Sequence, residues 1–299
     1  MRDSSRALVV LHYPVMCPEV LEYLAVRQEG IYVDATCGLG GHTGAIAAKL
    51  TTGKVIANDR DASSLAQAKA NTVEVADRIS FHYGSFESLG EALQDVGVAK
   101  ADGLVADLGI SRYQLTTGER GFSIMSDGPL DSRMDRSQEL TADRLINESA
   151  EKALADWIYQ YGEERRARTL ARAIVRARPI RSTQHLADVV ERAVPRTGPM
   201  HPATRAFQAI RIVTNDEMGQ LDRLLETAPG LVKRGGRIVV ISFHSLEDRK
   251  VKERFRQLAK ESKGLVLTKK PLQPGEDEVK VNPASRSAKL RALEVVHAA

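Results

Sequence analysis

The sequence contains only two cysteines, Cys17 and Cys37, and no Cys-x-x-Cys pair or other spacing typical of metal ligands. This scarcity argues against a disulfide framework and favours a reducing compartment. No apolar run approaches the ~20 residues that a membrane helix requires. The early run at residues 7–11 is too short for the core of a signal peptide. We therefore expect a cytoplasmic protein with no metal site.

An excess of charge of one sign is also missing, because 43 basic residues are matched by 39 acidic ones in a chain of 299. The net charge alone therefore says little about partners. The apolar share of 42% and the charged share of 27% are typical of a globular protein. Such a length allows one large domain or two modest ones.

Short apolar runs alternate with helical patterns through the first third of the chain. Residues 30–34, 54–58, 78–82 and 103–106 are predicted strands, and residues 44–50 and 62–70 are predicted helices. Strands that alternate with helices indicate a parallel sheet with right-handed crossovers.

The pattern becomes helical from residue 112 to about 202, and strand signal returns at residues 236–242. We therefore predict an α/β fold with a mainly parallel sheet. Residues 1–111 and 203–299 would form the sheet domain, and residues 112–202 an inserted, mostly helical domain. The segment 262–284 contains three prolines and is predicted to run over the surface.

The first predicted strand ends in a glycine-rich loop, YVDATCGLGGHTG at residues 32–44. It lacks the Gly-Lys-Ser/Thr of a Walker A loop, and a dinucleotide fingerprint would fail at Thr43. The better match is Asp34-x-x-x-Gly38-x-Gly40, which is typical of class I S-adenosylmethionine-dependent methyltransferases. Glycines at a helix start admit a ligand carboxylate, and Asp34 can offset the ligand ammonium directly or through water. A simple tight turn remains the alternative.

Two further aspartates follow predicted strands. Asp59 ends the second strand about 20 residues after the glycines, where a carboxylate can accept hydrogen bonds from ribose hydroxyls. NAD would also satisfy this feature, so we take it together with the glycine loop. Asp107 ends the fourth strand, at the sheet edge where α/β folds bind ligands. The following Leu108-Gly109-Ile110 meets only half of the Asn/Asp-Pro-Pro-aromatic pattern of amino-group methyltransferases.

Longer strings are more specific than these motifs. DGPLDSRMD, YGEERRARTLARAIV, HPATRAFQAIRI, GGRIVVISFHSLEDRKVK and NPASRSAKLRALE follow the glycine loop in order. With them the chain resembles the bacterial RsmH/MraW family from about His12 to Glu294. The resemblance implies a class I, Rossmann-like methyltransferase that methylates the exocyclic N4 of a decoding-centre (P-site) cytosine in 16S ribosomal RNA.

The resemblance also implies a set of cofactor contacts. A departure from the family occurs at Ser111-Arg112-Tyr113, where the family usually has Ser-Ser-Pro, and this affects how the loop holds the cofactor. The contacts to S-adenosyl-L-methionine fall on Gly40, Gly41, His42, Asp59, Phe86, Asp107 and Gln114.

Methylation of a cytosine amine requires a group that accepts its proton, because the amine lone pair is delocalised into the ring. Asp107 and His244 are the predicted catalytic residues. Asp107 lies at the expected sheet edge, although the cofactor could also occupy it. His244 follows the strand at 236–242, and a structural capping role is an equal alternative.

Seven basic residues and no acidic ones lie between Arg165 and Arg181. The helical pattern places Arg165, Arg168, Arg172 and Arg176 on the face opposite Leu170, Ile174 and Ala177. For an enzyme that acts on RNA, this face is predicted to contact phosphates, with a second basic cluster at residues 249–260. The expected partner is 16S ribosomal RNA within the small subunit, with no membrane. The oligomeric state stays open, a homodimer included.

Two other functions remain compatible with the sequence. The first is a class I methyltransferase that acts on another substrate, such as DNA or protein. The second is a non-catalytic small-subunit assembly factor that binds S-adenosylmethionine. Intact residues at the glycine loop, Asp59 and Asp107 favour catalysis but do not exclude the assembly factor.

Overall fold

The structure, a computed structural model, describes residues 14–196, 198 and 200–296. The beginning of the family resemblance at His12 and the apolar run at residues 7–11 lie outside this part. Every predicted strand and every predicted site residue lies inside it. Within it, no helix is both long enough and apolar enough to cross a bilayer.

A single sheet contains seven strands: β1 Ile31–Asp34, β2 Lys54–Asp59, β3 Ile79–Tyr83, β4 Ala101–Asp107, β5 Val232–Ser242, β6 Gly264–Val266 and β7 Lys289–Val295. Their order is β3-β2-β1-β4-β5-β7-β6. Strands β1 to β5 are parallel, and β7 is antiparallel to both of its neighbours. The strand order reverses between β1 and β4, which opens a crevice at their carboxyl ends. The predicted α/β class with a mainly parallel sheet is confirmed.

The sheet extends further than predicted, because β6 and β7 add two strands beyond β5. Within the segment 262–284, which was predicted to run over the surface, residues 264–266 form the edge strand β6, where Leu265 is 54% exposed. Strand β7 was missed because its charged residues interrupt the apolar pattern. Arg291 is buried in β7 and donates a hydrogen bond of 2.6 Å to Asp248, so its charge is paired only in the folded protein.

Helices cover both faces of the sheet. The helices of the described residues are α1 Cys17–Leu24, α2 Gly41–Ala47, α3 Ala62–Asn71, α4 Leu89–Asp95, α5 Arg112–Thr116, α6 Ala142–Glu148, α7 Glu151–Gln160, α8 Ala167–Ala177, α9 Thr183–Ala193, α10 Thr204–Thr214, α11 Glu217–Leu231, α12 Ser245–Lys260 and α13 Glu276–Val281. Helices α4, α11 and α12 bury one face, around Ile56 and Leu104. Helices α1 and α2 bury the other, around Val55 and Val105.

Helices α6 to α10 pack around a separate hydrophobic core that includes Leu154, Ile158, Leu170 and Ile174. Ile210 of α10 belongs to this core, although the sequence placed α10 in the sheet domain. The described part of residues 112–202 contains no strand, as predicted. The helical unit is therefore inserted between β4 and α11, where the crevice opens.

Candidate active site

A cavity of about 360 Å³ lies at the carboxyl ends of β1, β2 and β4. Its wall includes the loop after β1, residues 107–112 after β4, and residues 281–284 near the C-terminus. Parallel α/β sheets bind ligands at this edge, so the cavity is the candidate active site. The contribution of residues 281–284 was not predicted, although the string NPASRS at 282–287 was the available signal.

The glycine loop turns the chain sharply into α2. Gly38 and Gly40 have positive φ angles of 53° and 87°, a region that other residues rarely adopt. A Cβ on Gly40 would lie 2.9 Å from the Thr72 side chain, so Gly40 also lets α3 pack closely. Because Gly40 makes this turn, α2 begins at Gly41 and not at the predicted Gly44.

Asp34 lies behind the cavity wall and is 1% exposed. One of its carboxylate oxygens accepts a hydrogen bond of 2.6 Å from the Thr43 hydroxyl, and the other accepts from the Thr36 N–H at 3.2 Å. Burial raises the pKa of Asp34 to about 6. These hydrogen bonds brace the glycine loop. The predicted role of Asp34 in offsetting the ligand ammonium, directly or through water, stays a prediction.

Asp59 ends β2 and lines the cavity. Its two oxygens accept backbone hydrogen bonds from Gly38 at 2.7 Å and from Asp61 at 2.8 Å. Burial raises its pKa to about 6 despite these bonds. Since a carboxylate oxygen has two lone pairs, Asp59 can still accept hydrogen bonds from ligand hydroxyls.

Asp107 ends β4 beside His42, and both residues line the cavity. The Asp107 Oδ2 lies 3.8 Å from the His42 Nδ1, and the Oδ1 is buried with no partner among the described residues. Burial raises the pKa of Asp107 well above its ordinary value, and the negative charges of Asp34, Glu247 and Glu278 raise it further. Burial and the neighbouring negative charges therefore favour the protonated form of Asp107 more than in an ordinary aspartate.

Gln114 lines the cavity, and its side-chain amide already makes two hydrogen bonds, which leaves one N–H and one oxygen lone pair for a ligand. Its side-chain oxygen accepts from the Ser111 N–H at 2.9 Å, and its nitrogen donates to Asp61 at 2.7 Å. Asp61 also accepts from the Arg120 guanidinium at 2.8 Å, and both groups are almost fully buried. The predicted Gln114 therefore holds a cavity loop onto the end of β2.

His244 begins α12, and the cavity wall contains its neighbours Phe243 and Glu247 but not His244 itself. Its Nδ1 accepts from the Glu247 N–H at 3.4 Å, and the Glu247 carboxylate accepts from the His244 backbone N–H at 3.3 Å. This reciprocal arrangement is a helix capping box, the structural alternative that the sequence left open. Its catalytic role stays a prediction.

Glu217, His244 and Glu247 form a cluster whose ligand atoms could approach one cation. The carboxylates are already hydrogen bonded, because Arg211 donates two bonds to Glu217 at 2.8 and 2.9 Å. Glu247 accepts from the Phe243 N–H at 2.8 Å. The cluster therefore forms a hydrogen-bonded polar network, and its two carboxylate residues, Glu217 and Glu247, line the cavity.

The structure brings together six of the seven predicted cofactor residues around one cavity. Gly40 alone lies outside the wall, where it supports the turn before α2. Sequence reasoning missed Asn58, Ser64 and Gln220, which have no distinctive motif. The six that line the cavity are Gly41, His42, Asp59, Phe86, Asp107 and Gln114.

Comparison with known proteins decides the family. The model of the MraW methylase family matches residues 9–296. The chain belongs to the MraW methylase family. It is 65% identical over 285 residues to "Ribosomal RNA small subunit methyltransferase H" of Solibacter usitatus, covering 95% of this chain and 100% of that relative. A protein of the same name from Acidobacterium capsulatum is 47% identical over 293 residues, covering 95% and 98%.

Membership in the MraW methylase family confirms the predicted methyltransferase class and S-adenosyl-L-methionine as the cofactor. The cavity fits this molecule. Asp59 can accept hydrogen bonds from the ribose hydroxyls. Acidic side chains suit a ligand that carries the positive charges of an ammonium and a sulfonium. Four buried polar atoms of the wall lack a partner among the described residues: Asn58 Oδ1, Ser64 Oγ, Asp107 Oδ1 and Gln220 Oε1. Buried polar groups of this kind normally have partners, which a polar ligand would supply.

Gly40→Ala is expected to weaken both folding and cofactor binding. Its positive φ costs an L-residue about 1–2 kcal/mol, and the new Cβ would contact the Thr72 side chain. Gly97→Ala is the matched control, because Gly97 has a φ of 77° with open space around it and lies outside the cavity wall. Thermal unfolding and calorimetric titration measure the two effects. Equal losses of cofactor affinity in both variants would contradict the role of the Gly40 turn.

Proposed function

We propose that this chain transfers a methyl group from S-adenosylmethionine to the exocyclic N4 of a decoding-centre cytosine in 16S ribosomal RNA, in the cytoplasm. The carboxylate of Asp107 carries the proposal, because this side chain lines the cavity, is 23% exposed and has one oxygen without a hydrogen-bond partner among the described residues, so it can accept a proton from an amino group. The names of the relatives, which refer to the small ribosomal subunit, support RNA as the substrate.

S-adenosylmethionine supplies a methyl carbon whose bond to sulfur breaks, with the electron pair moving to sulfur, as the amine nitrogen bonds to that carbon. The chain aligns the amine and excludes water from it. Asp107 accepts the proton that leaves the amine. A base inside a folded RNA must leave its stack to enter the cavity.

Methyl transfer from labelled S-adenosylmethionine to small subunits that lack the modification tests this function, with digestion of the RNA to nucleosides. Label in N4-methylcytidine is the expected result. Label in another nucleoside would overturn the target. Binding of both the cofactor and the subunit without transfer would favour the assembly factor.

We propose that the helical unit recognises the RNA and that it extends to the end of α10, because Ile210 packs into its core. Arg168, Arg172 and Arg176 lie exposed on α8, while Arg165 lies exposed in the turn before it. Arg168 and Arg176 form no ion pair with any carboxylate in the described part of the chain, and Arg172 lies 3.6 Å from Glu151 in an exposed pair, which contributes little. Free guanidinium groups on one face are suited to phosphate contacts.

The second basic cluster, at residues 249–260, is less free than its sequence suggested. Lys250 contacts Asp222 at 2.6 Å, and Arg249 lies 3.9 Å from Glu163. Ser245 also donates a hydrogen bond to Glu163, which lies in the loop between α7 and α8, two residues before the basic segment. The loop before α8 therefore contacts the first turns of α12, close in sequence to Phe243 of the cavity wall. This proximity supports one RNA surface that leads to the cavity.

Arg172→Glu is expected to weaken RNA binding and reduce its salt dependence. Each lost phosphate contact reduces the slope of log affinity against log salt by about 0.7–0.9. Lys54→Glu is the matched control, because Lys54 is exposed at the amino end of β2, the sheet edge opposite the cavity. Binding to the small subunit at several salt concentrations measures the slope. An unchanged slope for Arg172→Glu would show that this face of α8 does not contact the RNA phosphates.

A further inference from the structure

The buried ring of His42 has a defined tautomer. Its Nε2 lies 2.9 Å from the carbonyl oxygen of Val15, and a carbonyl can only accept a hydrogen bond. The proton of the neutral ring must therefore be on Nε2. Burial lowers the pKa of His42 to about 4, so the ring is neutral near neutral pH. Its Nδ1 then carries a lone pair that accepts no hydrogen bond from the residues that the structure describes.

This lone pair faces the carboxylate of Asp107. The distance from Nδ1 to Oδ2 is 3.8 Å, and His42 is only 5% exposed. The charged groups that act on Asp107 from neighbouring elements are Asp34 of β1, Glu247 of α12 and Glu278 of α13, all of them acidic. Two acceptors that face each other repel, and a proton between them turns this repulsion into a hydrogen bond. Contacts of this kind shorten in the reacting complex.

We propose that Asp107 takes the proton released by the substrate amine and that the Nδ1 of His42 shares it. The inference rests on the proposed function, which supplies the amine. As the amine nitrogen gains its methyl group, one N–H bond breaks, its electron pair stays on nitrogen, and the proton passes to the Asp107 carboxylate. The proton leaves to solvent after the product departs. His42 acts through Asp107, and it is therefore a positioning residue.

This role differs from the one that the family resemblance implied for His42. The Nε2 is occupied by Val15, and the Nδ1 faces Asp107, so neither ring nitrogen is available to the cofactor. Any cofactor contact of His42 then belongs to its backbone in the first turn of α2. A purely structural ring, which only ties Val15 to α2, is the competing account.

Nuclear magnetic resonance of the ¹⁵N-labelled protein tests the arrangement without cofactor or substrate, with His42→Gln to assign the signal. We expect the Nε2–H tautomer between about pH 6 and 8, the range where an ordinary histidine titrates. Asp107→Asn should shift the Nδ1 resonance more than the Nε2 resonance. An Nδ1–H tautomer would overturn the inference, and so would an Nδ1 resonance that does not shift in Asp107→Asn.

Two substitutions then separate the ring nitrogens in the reaction. Glutamine at position 42 can keep a donor near Val15 but leaves no group at the Nδ1 position, whereas asparagine does the reverse. His42→Gln should lower kcat about tenfold or more, with the KM for S-adenosylmethionine within about threefold of wild type. His42→Asn should retain more activity than His42→Gln, because it keeps a group at the Nδ1 position.

The pH profile of kcat distinguishes proton sharing from packing. A hydrogen bond from protonated Asp107 to Nδ1 raises the pKa of Asp107, and activity falls as pH falls through that value. His42→Gln should therefore move the acid limb to lower pH. An unchanged kcat and acid limb, with only a lower Tm, would establish the structural account. If wild type methylates another nucleoside, the proposed target fails, but the tautomer and the acid limb still report on His42.

Discussion

Asp107→Asn is expected to lower kcat for methyl transfer by about 10²–10⁴-fold, the usual contribution of general base catalysis. Asparagine has nearly the same shape, so the Asp107 N–H can keep its hydrogen bond to Thr36, but an amide cannot take up the proton. Cofactor affinity should stay near normal if the role is chemical. Single-turnover methylation and calorimetric titration of S-adenosylmethionine separate these two quantities.

His244→Ala is the matched comparison, since His244 is the other predicted proton acceptor. Loss of its capping box should reduce the free energy of unfolding by about 0.5–2 kcal/mol. A large loss of kcat in His244→Ala, with activity retained in Asp107→Asn, would transfer the acceptor role to His244. A collapse of cofactor binding alone in Asp107→Asn would make Asp107 a cofactor ligand.

Arg120→Met is expected to produce the largest loss of stability, about 3–5 kcal/mol, because it leaves the Asp61 carboxylate buried without its charge partner. The Arg120 Nη1 lies 2.8 Å from the Asp61 Oδ2, and the two side chains are 4% and 2% exposed. Arg120 also donates to the backbone oxygens of Arg133 and Met134. Denaturant unfolding measures the loss, and cofactor affinity should fall with it because Asp61 holds Gln114.

Arg144→Met provides the control for this prediction. Arg144 and Glu148 form an exposed pair on α6, with side chains 52% and 65% exposed. Such pairs contribute at most about 1 kcal/mol. The double variant Asp61→Asn with Arg120→Met should recover part of the stability, since it removes the unpaired charge. Equal losses in Arg120→Met and Arg144→Met would show that the buried pair contributes no more to stability than an exposed one.

The five parallel strands were predictable because a parallel sheet is buried on both faces, so each strand appears as a short apolar run. Strands β6 and β7, at one edge of the sheet, could not be predicted in this way. Strand β6 has three residues, and β7 contains Lys289, Arg291 and Glu294. The limit of the helical unit was equally hidden, because α10 has the same apolar periodicity whichever core it joins.

Some residues of the site could likewise be predicted from the sequence, and others could not. Asp59 and Asp107 could be predicted because each ends a strand, and carboxyl ends of parallel strands converge at one edge. Glu217 and Glu247 could not, because each begins a helix far along the chain and reaches the site only through the packing of α11 and α12. Gly40 and Asp34 also support the glycine loop, Gly40 through its positive φ and Asp34 through its hydrogen bonds to Thr43 and Thr36. Their contacts to the cofactor stay predictions.

The sequence by itself determined the α/β class, the glycine loop and its strand-end carboxylates, and the family, because these depend on local patterns and long strings. Only the tertiary structure decided the partners of the buried polar groups. His42 and Asp107 are 65 residues apart, and Asp61 and Arg120 are 59 apart. A buried polar group is costly unless it is hydrogen bonded, so such groups are paired in the folded protein. Which residue pairs with which depends on how the helices and strands pack.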